Sequence, residues 1–89
     1  MTTKPNPETI VQTAIKLLMV SHDFTATPKT TVAELQKAGM DSLDQVELIM
    51  EMEEELSIEI DDNEFESMMD QPNLTLADIA ERVSQMQPN

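Results

Sequence analysis

Apolar residues recur at intervals of three and four along most of this chain, which is the spacing of one face of a helix. Ahead of the first apolar run, Asn6 can cap a helix, Pro7 suits its first position, and Glu8 is favoured by the helix dipole. The pattern therefore predicts a helix that begins at Pro7 and ends near Val20. Its apolar face consists of Ile10, Val11, Ala14, Leu17 and Leu18.

Three further helices are predicted downstream. Asp41 is an N-cap with Asp44 three residues on, in the manner of a capping box, and helical spacing then continues to about Leu56. The acidic segment 61–63 offers the cap of a short third helix that runs through Met69 and is broken at residue 72. Thr75 caps the last helix, which ends before Pro88. The apolar residues on one face of this helix are Leu76, Ile79, Ala80, Val83 and Met86.

A long connection, residues 21–41, joins the first two of these helices. Phe24, Val32 and Leu35 are expected to hold it to the core, with one short helical turn over residues 32–37. We expect one domain over residues 1–89, with residues 1–5 and 87–89 flexible. The fold class is therefore predicted to be all-α, a four-helix bundle of three longer helices and one short helix.

Net charge narrows the range of partners. The chain carries −13 at neutral pH with only five Lys and Arg residues, which argues against nucleic acid and anionic membrane surfaces and favours proteins with basic patches. The longest unbroken apolar run, residues 17–20, is far too short to span a membrane. With no cysteine and no signal peptide, we expect a monomer in the cytoplasm.

The predicted helix over residues 41–56 has two apolar faces. Leu48, Ile49, Met52 and Leu56 form the face expected to enter the core. Leu43, Val46 and Met50, here called the apolar strip, lie on the opposite side. The strip is predicted to be a docking surface, unless the connection over residues 21–41 folds across it and makes it core. The acidic residues expected at its rim are Asp44, Glu47, Glu51 and Glu54.

The same helix is crowded with carboxylates. Glu47, Glu51, Glu54 and Glu55 have like-charged neighbours at helical spacing, and the helix contains no Lys or Arg. Repulsion is expected to raise the pKa values of its acids in the folded state. We expect no dedicated metal site, but weak divalent binding at these four residues. A simple solvated face is the alternative interpretation of the acids.

Residues 39–50 read Gly-Met-Asp-Ser-Leu-Asp-Gln-Val-Glu-Leu-Ile-Met, and residues 53–56 read Glu-Glu-Glu-Leu. This segment closely resembles the acyl carrier proteins of fatty acid and polyketide synthesis. The likeness extends over about residues 6–86 and is most specific between Gly39 and Leu56. Gly39 is the only glycine and can take a backbone conformation closed to other residues, or serve as a plain turn.

The resemblance implies a prosthetic group on Ser42, in a motif flanked by Asp41 and Leu43. A phosphopantetheinyl transferase would attach 4′-phosphopantetheine from coenzyme A there, and the terminal thiol of this arm would hold acyl chains as thioesters. Acyltransferases and ketosynthases with basic docking patches are the other implied partners. They would contact Leu43, Asp44, Val46, Glu47, Met50, Glu51 and Glu54.

Rival functions find less support in the residues. An enzyme is not expected, because His22 is the only histidine and is distant in sequence from Ser42, so it is interpreted as a loop or helix-end residue. The acidic segment 61–66 lacks the glycine of a calcium-binding EF-hand loop. A peptidyl carrier is disfavoured because residues 40–41 are Met-Asp rather than a pair such as Gly-His. An acidic helical adaptor without a prosthetic group is the main alternative.

Overall fold

The computed structural model describes residues 5–87, and these form five helices joined by short turns and one long connection. The helices are α1 (Pro7–His22), α2 (Val32–Lys37), α3 (Ser42–Leu56), α4 (Asp62–Met69) and α5 (Leu76–Gln85). The four predicted helices are α1, α3, α4 and α5. The helical turn expected over residues 32–37 is the separate short helix α2, and the all-α class is confirmed.

Each predicted cap is present. The side chain of Asn6 accepts a hydrogen bond from the Thr9 N–H at 2.8 Å, and α3 and α5 begin with the reciprocal bonds of a capping box. Helix α1 continues two residues beyond its predicted end. It stops at Asp23, whose left-handed backbone (φ 59°) turns the chain away.

The core lies where α1 packs against α5 and α3. Its largest fully buried side chains are Phe65, Ile10, Leu18, Met52, Met68, Val32 and Val83. The long connection is held to this core as predicted, since Val32 and Leu35 are buried and the partly buried Phe24 packs against the core cluster. Among the described residues, no helix combines the length and apolar character needed to cross a membrane.

An antiparallel bridge between Thr31 and Thr75 ties the end of this connection to the start of α5. The Val32 N–H donates to the Leu74 carbonyl at 2.8 Å, and the Leu76 N–H donates to the Thr30 carbonyl at 2.9 Å. The bridge satisfies backbone groups that the loop would otherwise bury unpaired. It fixes α2, and with it the segment that leads to α3.

Residues 5 and 87, at the two ends of the described chain, have hydrogen-bond partners, and the flexibility expected of them stays a prediction. Ser84 Oγ donates to the Pro5 carbonyl at 2.9 Å. Gln87 is buried, and its amide oxygen accepts from the Glu59 N–H at 3.0 Å while its nitrogen donates to the Val83 carbonyl at 2.9 Å. Gln87 can be buried because its amide finds these backbone partners. The expectation for residues 1–4 and 88–89 lies outside the described residues.

Candidate functional site

A tight turn between α2 and α3 positions Ser42. Gly39 has φ +109°, a conformation that residues with a Cβ rarely adopt, although no atom lies within 4 Å of where a Cβ would be. The next residue, Met40, is buried, and its N–H donates to the Leu35 carbonyl at 3.0 Å. The turn anchored by Met40 leaves Ser42 exposed as the first residue of α3.

Two carboxylates close the start of α3. The Asp44 N–H donates to Asp41 Oδ1 at 3.0 Å, and the Asp41 N–H donates to Asp44 Oδ2 at 3.1 Å. These bonds leave the N–H groups of Ser42 and Leu43 without partners inside the helix. The hydrogen bond from the Asp41 backbone, together with weaker contributions from His22 and the Asp41 side chain, lowers the pKa of Asp44 despite partial burial. This is the opposite of the direction predicted from crowding.

A groove of about 340 Å³ begins beside Ser42 and runs between α3 and α4. Ile49 and Phe65 are buried residues that form its apolar floor. Phe65 also borders a small apolar cavity of about 10 Å³ in the core, so the same side chain lines both spaces. The polar rim of the groove contains Gln45, Asp62, Glu66 and Asp70.

The apolar strip is open to solvent, as predicted from the two-faced pattern of α3. Leu43, Val46 and Met50 are 65%, 52% and 58% exposed. The connection over residues 21–41 therefore does not cover them. On the opposite face Leu48 is 2% exposed. Ile49 and Met52 are also buried, whereas Leu56 is only partly buried against the core.

Comparison with known protein families indicates the function of this site. A family model described as the phosphopantetheine attachment site matches residues 8–83. The chain belongs to this family. Searches of curated proteins and of solved structures gave no significant match. The family is one of carriers that hold 4′-phosphopantetheine covalently and are not themselves enzymes, which favours a carrier over an adaptor without a prosthetic group.

The sequence did not predict the contacts that His22 makes in the carrier. His22 ends α1, as interpreted, but its side chain is only 3% exposed. Its Nδ1 lies 3.2 Å from Asp44 Oδ1, and its Nε2 lies 2.9 Å from Glu51 Oε1. His22 therefore links α1 to two acids of the predicted docking set. Burial by itself would lower the pKa of His22, but the hydrogen bonds and charges of Glu51 and Asp44 outweigh it and raise the pKa.

A second cation from α1 also reaches the acidic helix of the carrier. Lys16 Nζ lies 3.1 Å from Glu55 Oε2, and both side chains are about half exposed. Because α3 has no basic residue of its own, repulsion among its acids was expected to go unrelieved. Lys16 and His22 supply positive charge from the neighbouring helix instead. Glu47 and Glu54 are the exposed acids beside the strip.

Proposed function

We propose that this chain is an acyl carrier protein in which Ser42 holds the 4′-phosphopantetheine arm. The terminal thiol of the arm would carry acyl intermediates as thioesters and present them to fatty acid, polyketide or related synthases. The observation that carries the proposal is an exposed serine at the first position of a capped helix, within the span matched by the attachment-site family.

The other serines of the chain are poorer acceptors. Ser21 and Ser67 lie in the last turns of α1 and α4, where the dipole disfavours a phosphate. Ser57 caps the end of α3, and Ser84 is buried and donates to a carbonyl. Only Ser42 combines exposure with free backbone N–H groups at a helix N-terminus, the environment that suits a phosphodiester.

The groove beside Ser42 has the character that the arm and its cargo require. Pantetheine has polar amides that can meet the rim, and an apolar acyl chain can lie against Ile49 and Phe65. The core cavity beyond Phe65 holds no more than one water-sized sphere, so a long chain must displace its lining to enter. Met40, Met52 and Met69 line that cavity, and unbranched thioether side chains repack more readily than branched ones.

Docking would use the apolar strip and its acidic rim. Glu47 and Glu54 are exposed and attract a basic patch on a transferase, acyltransferase or ketosynthase before contact. Leu43, Val46 and Met50 then lose their solvent-exposed area against the partner. Because the strip starts at the residue after Ser42, a partner that covers it receives the arm directly.

Intact-mass measurement after incubation with coenzyme A and a broad-specificity phosphopantetheinyl transferase tests the attachment. We expect one phosphopantetheine on the parent chain and none on Ser42→Ala. The matched control is Ser67→Ala, which removes an exposed hydroxyl from the end of a helix and should load normally. Loading that persists in Ser42→Ala would place the arm on another residue and overturn the assignment.

A further inference from the structure

Three potential metal ligands converge where the end of α1 meets the first two turns of α3. They are a ring nitrogen of His22 and carboxylate oxygens of Asp44 and Glu47, and all three atoms lie within 4.8 Å of one another. Asp44, Glu47 and Glu51 are spaced by three and four residues, so they share one face of α3. The cluster is therefore built across two helices.

His22 is held in the orientation that metal-binding histidines adopt. Its ring is 3% exposed, with Nδ1 directed at Asp44 and Nε2 bonded to Glu51 at 2.9 Å. In protein metal sites a histidine commonly binds the ion through one nitrogen and donates its other N–H to a carboxylate, which fixes the tautomer and strengthens the ligand. Glu51 is placed to accept that N–H.

We propose that His22, Asp44 and Glu47 form a binding site for a divalent transition-metal ion of the Zn²⁺ type, with Glu51 orienting the imidazole. The ion takes the place of the proton between His22 Nδ1 and Asp44. Zn²⁺ bonds to nitrogen and oxygen are about 2.0–2.2 Å, so the three groups must close slightly around it. Glu47 is exposed and free to make that movement. Water completes the tetrahedral coordination.

The histidine ligand distinguishes this site from surface carboxylates that bind divalent ions weakly. Mg²⁺ and Ca²⁺ prefer all-oxygen ligands, whereas imidazole favours Zn²⁺ and similar ions. A consequence that rests on the proposed function is that the bound ion would cancel charge on Asp44 and Glu47, at the edge of the apolar strip. Occupancy would then weaken encounters with basic partners, although the site itself does not depend on the arm.

Calorimetric titration with ZnCl₂ and, separately, MgCl₂ tests the site on the parent chain and on three variants. His22→Gln removes the nitrogen ligand, Glu51→Gln removes the acceptor that orients it, and Glu81→Gln, an exposed acid of α5 outside the cluster, is the control. We expect His22→Gln and Glu51→Gln to weaken Zn²⁺ binding by about 10- to 100-fold. His22→Gln should leave Mg²⁺ binding unchanged, because Mg²⁺ prefers oxygen ligands. Glu81→Gln should keep the Zn²⁺ affinity of the parent.

A second measurement uses only the parent chain, so its result does not depend on whether a variant folds. His22 is the only histidine, so its ring signals in NMR spectra are unambiguous. We expect Zn²⁺ to change the Nδ1 signal strongly and Mg²⁺ to leave it unaltered. Binding of Zn²⁺ no tighter than Mg²⁺, an unchanged ring signal, or equal Zn²⁺ affinity in a folded His22→Gln variant would each overturn the proposal.

Discussion

The Nε2 atom of His22 lies 2.9 Å from Oε1 of Glu51, which joins the last residue of α1 to the middle of α3. Asp44 faces the other ring nitrogen at 3.2 Å. A neutral imidazole has only one N–H, so only the protonated ring donates to both carboxylates. The folded state therefore favours the imidazolium, and the contact couples the packing of α1 on α3 to pH.

Stability should therefore fall as pH rises through the titration of His22 in metal-free buffer. The pKa of His22 is raised above its ordinary 6.5 on folding, so the folded state binds more protons in that range. The contribution is fully present below pH 6.5 and is lost as pH passes the raised value. Urea unfolding between pH 6 and 9 measures it, and His22→Gln should flatten the profile. A variant profile parallel to that of the parent chain would show that His22 is not the group responsible.

The two faces of α3 should respond differently to truncation. Leu48→Ala removes a buried side chain and should cost about 2–5 kcal/mol in the free energy of unfolding. Met50→Ala removes an exposed one and should change stability by less than about 0.5 kcal/mol. Its effect should instead be faster dissociation from a transferase, because apolar contact forms after encounter. Thermal melts beside binding kinetics separate the outcomes, and a Met50→Ala variant as unstable as Leu48→Ala would make the strip part of the core.

Charge reversal at the acidic rim of the apolar strip should slow association with a partner rather than speed dissociation. The double variant Glu47→Lys, Glu54→Lys should bind a basic transferase more slowly and with a flatter dependence on salt, because long-range attraction is lost. Glu81→Lys, on the exposed surface of α5, reverses one charge far along the chain from the strip and is the control. Stopped-flow association at several salt concentrations is the measurement. Equal slowing by the control would attribute the effect to net charge alone.

The turn before Ser42 should depend on its glycine. Gly39→Ala must hold a Cβ residue at φ +109°, a strain of about 1–3 kcal/mol, even though there is space for the methyl group. Ala38→Gly, at the ordinary φ of −76°, should cost only about 0.5 kcal/mol. Denaturant unfolding compares the two. If Gly39→Ala is as stable as the parent chain, the turn relaxes freely and does not fix the start of α3.

The helices could be predicted because their signals are local. Asp41 and Thr75 each cap a helix through a residue three positions on, so the bond is visible in the sequence. The contacts of His22 could not be predicted, because its partners lie 22 and 29 residues away and meet it only through the way α1 packs on α3. The ion pair between Lys16 and Glu55 could not be predicted for the same reason, because the two residues are far apart in the sequence.

The expected rise in carboxylate pKa values fails at Asp44 for a related reason. Counting acids along α3 takes account of repulsion within the helix but not of the Asp41 N–H or the His22 ring, which favour the charged form. Gln87 is a further case. From sequence, a polar residue near the end of a chain is expected to be exposed. The backbone carbonyl and N–H that bond to the Gln87 amide come close to it only in the folded structure.

The bridge between Thr31 and Thr75 also has a consequence for the order of events during synthesis. When the segment around Ser42 leaves the ribosome, α5 has not yet emerged, and α1 and the connection before α2 both rest on α5. Contacts between positions so far apart in sequence form only once the intervening chain is available. The nascent segment therefore lacks its native support, and an enzyme that recognises the folded face of α3 can act on the chain only after α5 has emerged.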